Sequence, residues 1–498
     1  MTDVSSSPWA ATGIAGLDHI LRGGLPRDLF YLVHGGPGTG KTTLGMQFLL
    51  EGARRGERVL YISLLKTRDE LERFMASHNW SLEGVDLLDL PDNVRRLATD
   101  EQTFFNTADI ELREVNDAIL QAVERTKPQR LVFDSVSELA LLVDNQYQLR
   151  RQLLRLKQKL EGMGCTTLFN LIETETVDMP TIQTVIQGCL QLGMDEANYG
   201  PPRRWLNIPK MMSSDYIAGH HDLRLTTGGL TVFPRLEATP RELQDGWPVV
   251  SSGIAEIDTL FGGGLEEGTA CLVTGSTGAG KSTLASLYVQ AAARRGERSL
   301  VFCFDERRQT FIRRSKSLGL DIVKHIDKGL VDLRQINVGD LLPGQFVQDI
   351  RVAVEDHGVK VVVIDSIGGY INAMPGQQHL IVQLHEILSY LSAAGVLTVM
   401  VAPVHGLSGE GMSEVTTSYI ADTVVLMRMF EAAGRIRRCI SVLKKRHGDH
   451  EKTIRELTIG AEGIVVGEPL KRFSGVLSGT PTYLGDVNEL LEPDGEDG

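Results

Sequence analysis

Two segments of the sequence have the residue types and spacing of a phosphate-binding loop. Residues 35–42 read GGPGTGKT and residues 275–282 read GSTGAGKS, so both match the pattern G-x-x-x-x-G-K-[ST]. Glycines in such a loop let successive backbone N–H groups point at phosphate oxygens, and the helix that follows adds the positive end of its dipole. An apolar run precedes each loop and an amphipathic stretch follows it, so we predict a nucleotide site at both.

We predict ATP and Mg²⁺ as cofactors, and we expect different residues of each loop to bind them. Lys41 and Lys281 are expected to reach the β- and γ-phosphates, and the hydroxyls of Thr42 and Ser282 are expected to ligate Mg²⁺. The other residues expected to contact the nucleotide are Gly35, Gly38, Gly40 and Thr43 in the first loop, and Gly275, Thr277, Gly278, Ala279, Gly280 and Thr283 in the second.

A carboxylate follows an apolar run downstream of each loop. Asp134 ends the run 130–134 and Asp365 ends the run 360–365, as is typical of buried parallel strands. In phosphate-loop enzymes an aspartate at this place holds the magnesium ion, usually through water. The alternative is a helix N-cap, which also favours aspartate. Beside a phosphate loop we predict that Asp134 and Asp365 belong to magnesium sites.

The elements around the loops are also present twice. The same spacing separates Lys41 from Lys281 and the segment RRGER at 54–58 from RRGER at 294–298, which indicates duplication of a whole domain. Strand and helix patterns alternate within each copy, which predicts an α/β fold with a mostly parallel, twisted sheet flanked by helices.

Composition excludes several classes of protein. The 498 residues carry a formal net charge of −13 and five cysteines without a C-x-x-C pair, which argues against a nucleic-acid coat protein and against a disulfide or zinc framework. We find no leader-like segment and no long apolar run, so we expect a cytoplasmic protein without a membrane partner. Basic clusters at 307–308, 313–316 and 435–438 leave DNA contact as a less favoured alternative.

The duplicated motifs resemble those of the KaiC family of RecA-like ATPases. The resemblance runs from about Thr12 to Leu484 and rests on TGIAGLD at 12–18, SGIAEID at 252–258, the FDS and IDS ends of two strands, and the later segments 440–446, 452–456 and 478–482. It implies two tandem RecA-like phosphate-loop domains, preceded by an arm at 1–11 and divided as 12–242 and 243–485. An acidic, disordered tail is expected at 486–498.

The resemblance also implies an assembly and an activity. Members of the family form a homohexamer of two stacked rings, with ATP held between neighbouring subunits, hydrolyse ATP slowly and can phosphorylate themselves in the second ring. A small KaiB-like protein docks on the first ring of family members, so such a protein or another signalling partner is expected here. Nucleic acid is an improbable partner.

The family has an acidic pair just after the strand that follows the loop helix. A carboxylate there orients or deprotonates the attacking water. The second copy has Asp305 and Glu306 at this place, whereas the first has Leu65 and Lys66, which cannot act as a base. The alternative that Glu70, a helical turn further on, replaces the pair stays open.

The family also has a K-x-R motif whose cations reach the γ-phosphate bound by the neighbouring subunit. The second copy retains Lys444 and Arg446, while the first has Lys210 followed by Met212 in place of the arginine. Loss of such an arginine lowers the rate by about 10³–10⁵ in phosphoryl-transfer enzymes. We therefore expect the first domain to bind ATP but to hydrolyse it poorly or not at all.

Family members phosphorylate an adjacent Ser-Thr pair shortly before a strand that begins with Asp-Thr. Here Ser418 falls on the serine position, Tyr419 replaces the threonine, and Thr417 is a neighbouring hydroxyl. We predict Ser418, with Thr417 beside it, as phosphoacceptor, and Asp305 or Glu306 as the base. The alternative is that these hydroxyls only satisfy the backbone of a loop.

The sequence therefore predicts an ATPase and serine/threonine autokinase centred on the second domain. The first domain is expected to bind ATP mainly for hexamer assembly, and the whole is expected to act as a signalling or circadian-type timing regulator. A RecA-like DNA-remodelling ATPase and a nucleotide-gated docking scaffold are the competing hypotheses.

Overall fold

A computed structural model describes most of the chain as two compact units, Met1–Arg235 and Leu236–Gly498. The residues it describes are 7–90, 107–141, 143, 145–173, 178–196, 201–237, 248–337, 341–372, 377–403, 419–432, 434–461, 463–477 and 481–485. The predicted domain boundary at 242–243 and the predicted acidic tail lie outside these residues. In the described part, none of the helices is both long and apolar enough to cross a membrane.

The first unit is built on one nine-stranded sheet. Its strands are β1 (Trp9–Ala10), β2 (Leu25–Pro26), β3 (Phe30–Gly35), β4 (Val59–Ser63), β5 (Asp86–Asp89), β6 (Arg130–Asp134), β7 (Thr166–Ile172), β8 (Gly188–Asp195), β9 (Arg203–Met211), β10 (His221–Thr226) and β11 (Gly229–Phe233). The sheet has the order β11-β10-β9-β8-β3-β7-β6-β4-β5, while β1 and β2 pair separately. The six neighbouring strands β8, β3, β7, β6, β4 and β5 run parallel to one another. On the other side of β8 the sheet continues with β9, β10 and β11, which pair in antiparallel fashion.

The second unit repeats this topology. Its strands are β12 (Val249–Val250), β13 (Leu265–Glu266), β14 (Ala270–Gly275), β15 (Arg298–Cys303), β16 (Val331–Gln335), β17 (Val359–Asp365), β18 (Leu397–Pro403), β19 (Thr423–Ala432), β20 (Arg435–Lys445), β21 (Arg455–Gly460), β22 (Gly463–Pro469), β23 (Phe473–Ser474) and β24 (Thr482–Tyr483). The nine-stranded order is β16-β15-β17-β18-β14-β19-β20-β21-β22, so each strand has a counterpart in the first sheet.

Helices cover both faces of each sheet. In the first unit they are α1 (Ala15–Ile20), α2 (Lys41–Arg54), α3 (Arg68–Ser77), α4 (Thr107–Thr126), α5 (Val136–Leu141), α6 (Gln146–Glu161) and α7 (Met179–Gln183). In the second they are α8 (Ala255–Leu260), α9 (Lys281–Arg294), α10 (Arg308–Ser317), α11 (Ile322–Asp327), α12 (Pro343–Glu355), α13 (Ile367–Asn372) and α14 (Gln377–Ala393). The predicted fold class, two tandem RecA-like α/β domains, is confirmed.

Strand periodicity explains why each nine-stranded sheet has a large hydrophobic core on both of its faces. Side chains alternate between the faces of a strand, so Tyr31 and Val33 of β3 pack into one core while Phe30 and Leu32 pack into the other. Both faces are buried, and the central strands are therefore almost continuously apolar, as the sequence indicates.

The parallel strands bring their carboxyl ends to one edge of each sheet, which is where ligands bind in open α/β folds. In the first unit Ser63 at the end of β4 pairs with Asp134 at the end of β6, and in the second Cys303 pairs with Asp365 in the same way. These pairings place both predicted magnesium-site aspartates at the edge from which the phosphate loops emerge.

A fully buried cation anchors the opposite end of β6. The side chain of Arg130 is completely inaccessible to solvent and donates hydrogen bonds to the Glu57 carboxylate, to the Ala11 carbonyl (2.6 Å) and to the Phe48 carbonyl (2.9 Å). Burial lowers the pKa of Arg130, and the Glu57 carboxylate opposes this shift. The contacts tie the amino-terminal segment to the strand that ends at Asp134.

We expect Arg130→Met to lower the free energy of unfolding by about 3–5 kcal/mol, because it leaves a buried carboxylate and two carbonyls short of a donor. Arg58→Met is a matched control, since Arg58 is exposed and donates from its side chain to the Lys127 carbonyl. The control should change the free energy by less than about 1 kcal/mol. Denaturant unfolding measures both, and equal effects would contradict the anchoring role.

Candidate functional site

The two phosphate loops have the same backbone geometry. Each begins with a glycine at φ +151°, where an added Cβ would lie 2.0 Å from the Leu192 carbonyl oxygen at Gly35 and 1.8 Å from the Met427 carbonyl oxygen at Gly275. Only glycine permits this close approach of the neighbouring strand. The loop helices then begin after Gly40 and Gly280, whose φ values of +108° and +106° also favour glycine.

The loop lysines are held alike. Lys41 Nζ donates to the carbonyls of Gly35 (2.8 Å) and Gly36 (2.7 Å), and Lys281 Nζ donates to those of Gly275 and Ser276, both at 2.8 Å. Burial lowers the pKa of both lysines, while the nearby aspartate of each site opposes the shift. A buried ammonium at a ring of inward-facing amides suits a polyanionic phosphate group.

The second unit gathers several carboxylates beside its loop. The Ser282 hydroxyl hydrogen-bonds to Asp365, and the charges of Glu306 and Asp305 act on the same carboxylate. Asp305 accepts a hydrogen bond from the Ser366 hydroxyl. The predicted bases Asp305 and Glu306 therefore lie near the predicted metal residues Ser282 and Asp365.

This donor set fits Mg²⁺. Burial first, and then the charges of Glu306 and Asp305, raise the pKa of Asp365, which is the situation that a bound divalent cation relieves. The described residues contain no group of three or more His, Cys, Asp or Glu side chains arranged as metal ligands. Mg²⁺ in a phosphate loop needs no such group, because phosphate oxygens and waters complete its shell around the hydroxyl and the aspartate.

The first unit places a lysine where the second has Glu306. Lys66 Nζ lies 2.8 Å from Thr42 Oγ1 and 3.2 Å from Asp134 Oδ2. The same Asp134 oxygen accepts a hydrogen bond from the Thr42 hydroxyl at 2.9 Å and from the Tyr61 hydroxyl at 2.5 Å. Thr42 and Asp134, the two residues predicted to form a magnesium site, are thus joined to an ammonium group.

The two aspartates therefore have opposite electrostatics. Burial alone would raise the pKa of Asp134, but the Lys66 ammonium and the hydrogen bonds from Tyr61, Thr42 and Lys66 together lower it below the ordinary value. The pKa of Asp365 is raised. Strand register makes Tyr61 the counterpart of Val301, so the first site has gained a hydroxyl donor as well as a cation.

Local structure fixes the backbone of Lys66. The Ser63 hydroxyl accepts from the Lys66 amide at 2.9 Å and donates to the Lys66 carbonyl at 2.7 Å. The next residue, Thr67, caps helix α3 in a capping box with Glu70, whose carboxylate accepts from the Thr67 amide at 2.9 Å. The Glu70 carboxylate therefore serves as a helix cap, which argues against its use as a replacement base.

Strand register aligns the two K-x-R segments. In the first unit Lys210 pairs with Cys189 of β8, which in turn pairs with the third residue of β3. In the second unit Lys444 pairs with Val424 of β19, which pairs with the third residue of β14. Lys210 Nζ donates to the carbonyls of Gln183 and Ile186, and Lys444 Nζ donates to the Ala421 carbonyl.

The residue two positions after each lysine is also matched in the fold. The Met212 amide donates to the Gln187 carbonyl, and the Arg446 amide donates to the Asp422 carbonyl, the same place in the two units. The Arg446 guanidinium contacts the Asp422 carboxylate at 3.4 Å and the Tyr419 carbonyl. The thioether of Met212 is half exposed and cannot supply a positive charge.

The structure adds site residues that the sequence patterns do not reveal. Glu173, just after β7, has its carboxylate 2.6 Å from His34 Nδ1, and its charge partly opposes the lowering of the Lys41 pKa by burial. Arg204 Nε donates to the Gly38 carbonyl, as Arg438 Nε does to the Gly278 carbonyl. The two arginines could have been found from the sequence, because they occupy matching positions in the duplicated strands β9 and β20. Glu173 has no motif around it.

Ser418 and Thr417, the predicted phosphoacceptors, lie outside the described residues. The described segment begins at Tyr419, whose side chain is exposed. Its carbonyl accepts a hydrogen bond from Arg446.

The opposite shifts predict opposite effects of one substitution on the nucleotide-free protein. Ionised Asp134 stabilises the fold above the ordinary aspartate pKa of about 3.9, and this contribution is lost as the pH falls through its lowered pKa. Ionised Asp365 costs stability, because its raised pKa favours the protonated form in the folded chain.

At pH 7 we therefore expect Asp134→Asn to lower the free energy of unfolding by about 1–3 kcal/mol. Asp365→Asn should raise it. Denaturant unfolding in EDTA at pH 7 and again at pH 3 measures both. The loss for Asp134→Asn should be smaller at pH 3, because the pH is then below the ordinary aspartate pKa and approaches the lowered pKa of Asp134. Shifts of the same sign at pH 7 would contradict this assignment of charges.

Comparison with known proteins agrees with the duplicated fold and the loops. A family model described as "ATPase: KaiC" matches residues 10–237 and again residues 250–471. The circadian clock oscillator protein KaiC of Parathermosynechococcus lividus is 25% identical over 499 residues, covering 98% of this chain and 91% of that protein. The circadian clock protein KaiC3 of Synechocystis sp. is 26% identical, covering 95% and 94%.

A third relative, the circadian clock oscillator protein KaiC of Thermostichus vulcanus, is 27% identical, with 97% of this chain and 93% of that protein covered. These relatives span both units in the same order. Because the two matches of the family model cover most of the sequence, the chain belongs to the KaiC family of ATPases.

Proposed function

We propose that ATP hydrolysis takes place at the second site, and that the first site binds ATP mainly to hold the assembly together. The observation that carries this proposal is that the two loops have side chains of opposite charge at the same place beside them. Glu306 and Asp305 lie beside Asp365 in the second unit, whereas the Lys66 ammonium lies against Asp134 in the first.

At the second site the residues of this chain have separate roles. Lys281 and the loop amides bind the phosphates, and Ser282 and Asp365 would hold Mg²⁺, which neutralises developing negative charge. Asp305 or Glu306 orients and deprotonates the attacking water. Arg314 is a positioning residue, since its guanidinium contacts both oxygens of the Glu306 carboxylate at 3.2 and 2.9 Å.

The remaining charge is supplied by a neighbouring copy of the chain. In a homohexamer of two stacked rings, Lys444 and Arg446 of one copy reach the γ-phosphate bound by the next. Their positions on and just after β20 are matched by Lys210 and Met212, so the first ring retains the lysine but not the arginine. This absence is the second reason for slow or absent hydrolysis at the first site.

The second site also provides the chemistry for autophosphorylation. A hydroxyl from the segment around Ser418, with Thr417 beside it, would take the place of the attacking water, and Asp305 or Glu306 would accept its proton. The segment leads into Asp422 and β19, beside the contacts of Arg446 with Tyr419 and Asp422.

A role as a signalling or timing regulator is the function that best accounts for slow ATP hydrolysis together with autophosphorylation. The relatives from Parathermosynechococcus lividus and Synechocystis sp. are circadian clock proteins by name. A slow ATPase that can mark itself with phosphate has two states that a docked protein can distinguish. A KaiB-like protein is one such partner, and it would meet a first ring whose nucleotide is not turned over.

The structure offers little to the DNA-remodelling alternative. Members of the basic clusters are engaged within the chain: Arg308 donates to the Leu333 carbonyl, Arg314 pairs with Glu306, and Arg437 pairs with Glu456. A cation that is already paired gains less from a phosphate backbone.

The division of labour is tested with Lys41→Ala and Lys281→Ala in the full chain. Lys281→Ala is expected to abolish ATP turnover while the hexamer persists. Lys41→Ala should retain most turnover per assembled hexamer but weaken assembly, because the first ring loses its nucleotide. Steady-state phosphate release and light scattering measure the two properties.

Glu173→Gln is a useful companion in that experiment, because Glu173 is a carboxylate of the first site whose charge acts on Lys41. It should leave turnover unchanged if hydrolysis belongs to the second site. Equal loss of hydrolysis in the two loop variants, with assembly intact, would refute the proposal.

Autophosphorylation is tested by mass spectrometry of residues 413–423 after incubation with Mg-ATP. We expect phosphate in this segment, lost in Lys281→Ala and retained in Lys41→Ala, because the acidic pair Asp305 and Glu306 belongs to the second site. Ser418→Ala and Thr417→Ala assign the position. An unmodified segment in the assembled wild-type protein would dismiss the kinase activity but not the ATPase.

A further inference from the structure

Lys66 and Tyr61 are not explained by the loss of hydrolysis. An inactive site needs only to lose its base, and a small neutral residue in place of Glu306 would suffice. Instead the first unit has a cation at that place and a phenol hydroxyl in the adjacent strand, and both contact the same carboxylate oxygen of Asp134.

The Lys66 ammonium lies against the two side chains that would hold a metal ion at the first loop. In phosphate-loop proteins the threonine hydroxyl is a direct magnesium ligand and the strand-terminal aspartate holds the ion, usually through water. Lys66 Nζ lies 2.8 Å from the Thr42 hydroxyl oxygen and 3.2 Å from Asp134 Oδ2, within hydrogen-bond reach of both. One positive charge from the chain itself therefore contacts both groups that would hold Mg²⁺.

The surrounding contacts leave Mg²⁺ a poor donor set. Thr42 donates its proton to Asp134 and accepts from Lys66, and Asp134 Oδ2 accepts from three donors. Mg²⁺ demands a regular octahedral shell and would stand beside an ammonium of like charge. The residues of the first site do not fit this ion.

Hydrogen bonds fix the backbone of Lys66 and of the residue that follows it. Its amide and carbonyl both bond to the Ser63 hydroxyl, and the capping box of Thr67 and Glu70 fixes the residue that follows. Its side chain is 35% exposed and the Asp134 side chain 12%, so the ion pair lies at the inner end of the site. Tyr61, almost fully buried, keeps the carboxylate turned toward the lysine.

We propose that the Lys66 ammonium takes the place of magnesium at the first loop, so that this unit binds ATP or ADP without a metal ion. The proposal rests on the proposed function only in that the first loop binds nucleotide. One lysine neutralises less charge than a divalent ion and exchanges no ligands, which suits a nucleotide that is held and not cleaved. At the second loop, the carboxylates leave the metal requirement intact.

The first test measures binding of a non-hydrolysable ATP analogue to the full chain by equilibrium dialysis, in Mg²⁺ and in EDTA. With Mg²⁺ we expect nucleotide at both loops, and with EDTA nucleotide at the first loop alone. Lys41→Ala should then lose all binding in EDTA, while Lys281→Ala should bind about equally well in the two buffers, within roughly three-fold. Binding by Lys281→Ala that disappears in EDTA would overturn the proposal.

Substitution of Lys66 should create a metal requirement. In the Lys281→Ala background, Lys66→Glu restores the carboxylate of the second site and should weaken binding in EDTA by at least about ten-fold relative to Mg²⁺. Lys66→Met, which removes the charge without adding an acid, should also weaken binding in EDTA. Arg68→Glu is the matched control, because this exposed residue pairs with Glu72 on helix α3, and its charge reversal should leave binding in EDTA unchanged.

A direct metal readout separates this proposal from the proposed function. With Mn²⁺ in place of Mg²⁺, electron paramagnetic resonance should show nucleotide-dependent metal binding in the wild type, none in Lys281→Ala, and its return in Lys281→Ala with Lys66→Glu. Nucleotide-dependent Mn²⁺ binding by Lys281→Ala would mean that the lysine moves aside for the ion, and would refute the inference. ATP turnover by Lys281→Ala would instead refute the division of hydrolysis and leave the metal result standing.

Discussion

The negative charge of a buried carboxylate at the end of a parallel strand must be compensated. The properties of each site depend on which groups supply that compensation. Asp134 and Asp365 occupy the same position beside their phosphate loops, with the strand end paired in the same register. A charged carboxylate in such a place is costly without a cation or several donors. The first unit supplies both from its own chain, through Lys66, Thr42 and Tyr61. The second places the acids Asp305 and Glu306 near Asp365, and we propose that an ion from solution supplies the compensating charge there.

This difference connects changes that are scattered along the sequence. Lys66 in place of Glu306 removes a base and adds a cation, Tyr61 in place of Val301 adds a donor to the same aspartate, and Met212 in place of Arg446 removes a charge expected to act on the neighbouring γ-phosphate. Each change alone would disturb a hydrolytic site. Together they support the proposal that the first site holds nucleotide with charges supplied by the chain itself.

The parts of the site that could be predicted from the sequence are those with local causes. The loops follow from glycine and lysine spacing, and the strands that end at Asp134 and Asp365 follow from short apolar runs. The loss of a base at Leu65 and Lys66 also follows from residue type alone. The position of the Lys66 ammonium does not, because it depends on β4 lying beside β6 and on a turn fixed by the Ser63 hydroxyl. Glu173 and His34 meet only because β3 and β7 are neighbours in the sheet.

An intramolecular cation differs from magnesium in what it can accomplish. Mg²⁺ would bring two charges and would neutralise the negative charge that develops on the phosphate oxygens during transfer. The Lys66 ammonium brings one charge on a chain whose backbone is already fixed, so it can compensate the resting nucleotide but cannot follow the charge that develops during transfer. Catalysis depends on interactions that are stronger in the transition state than in the ground state. A site whose cation mainly stabilises the ground state should therefore bind well and turn over poorly, and the same substitution explains both properties.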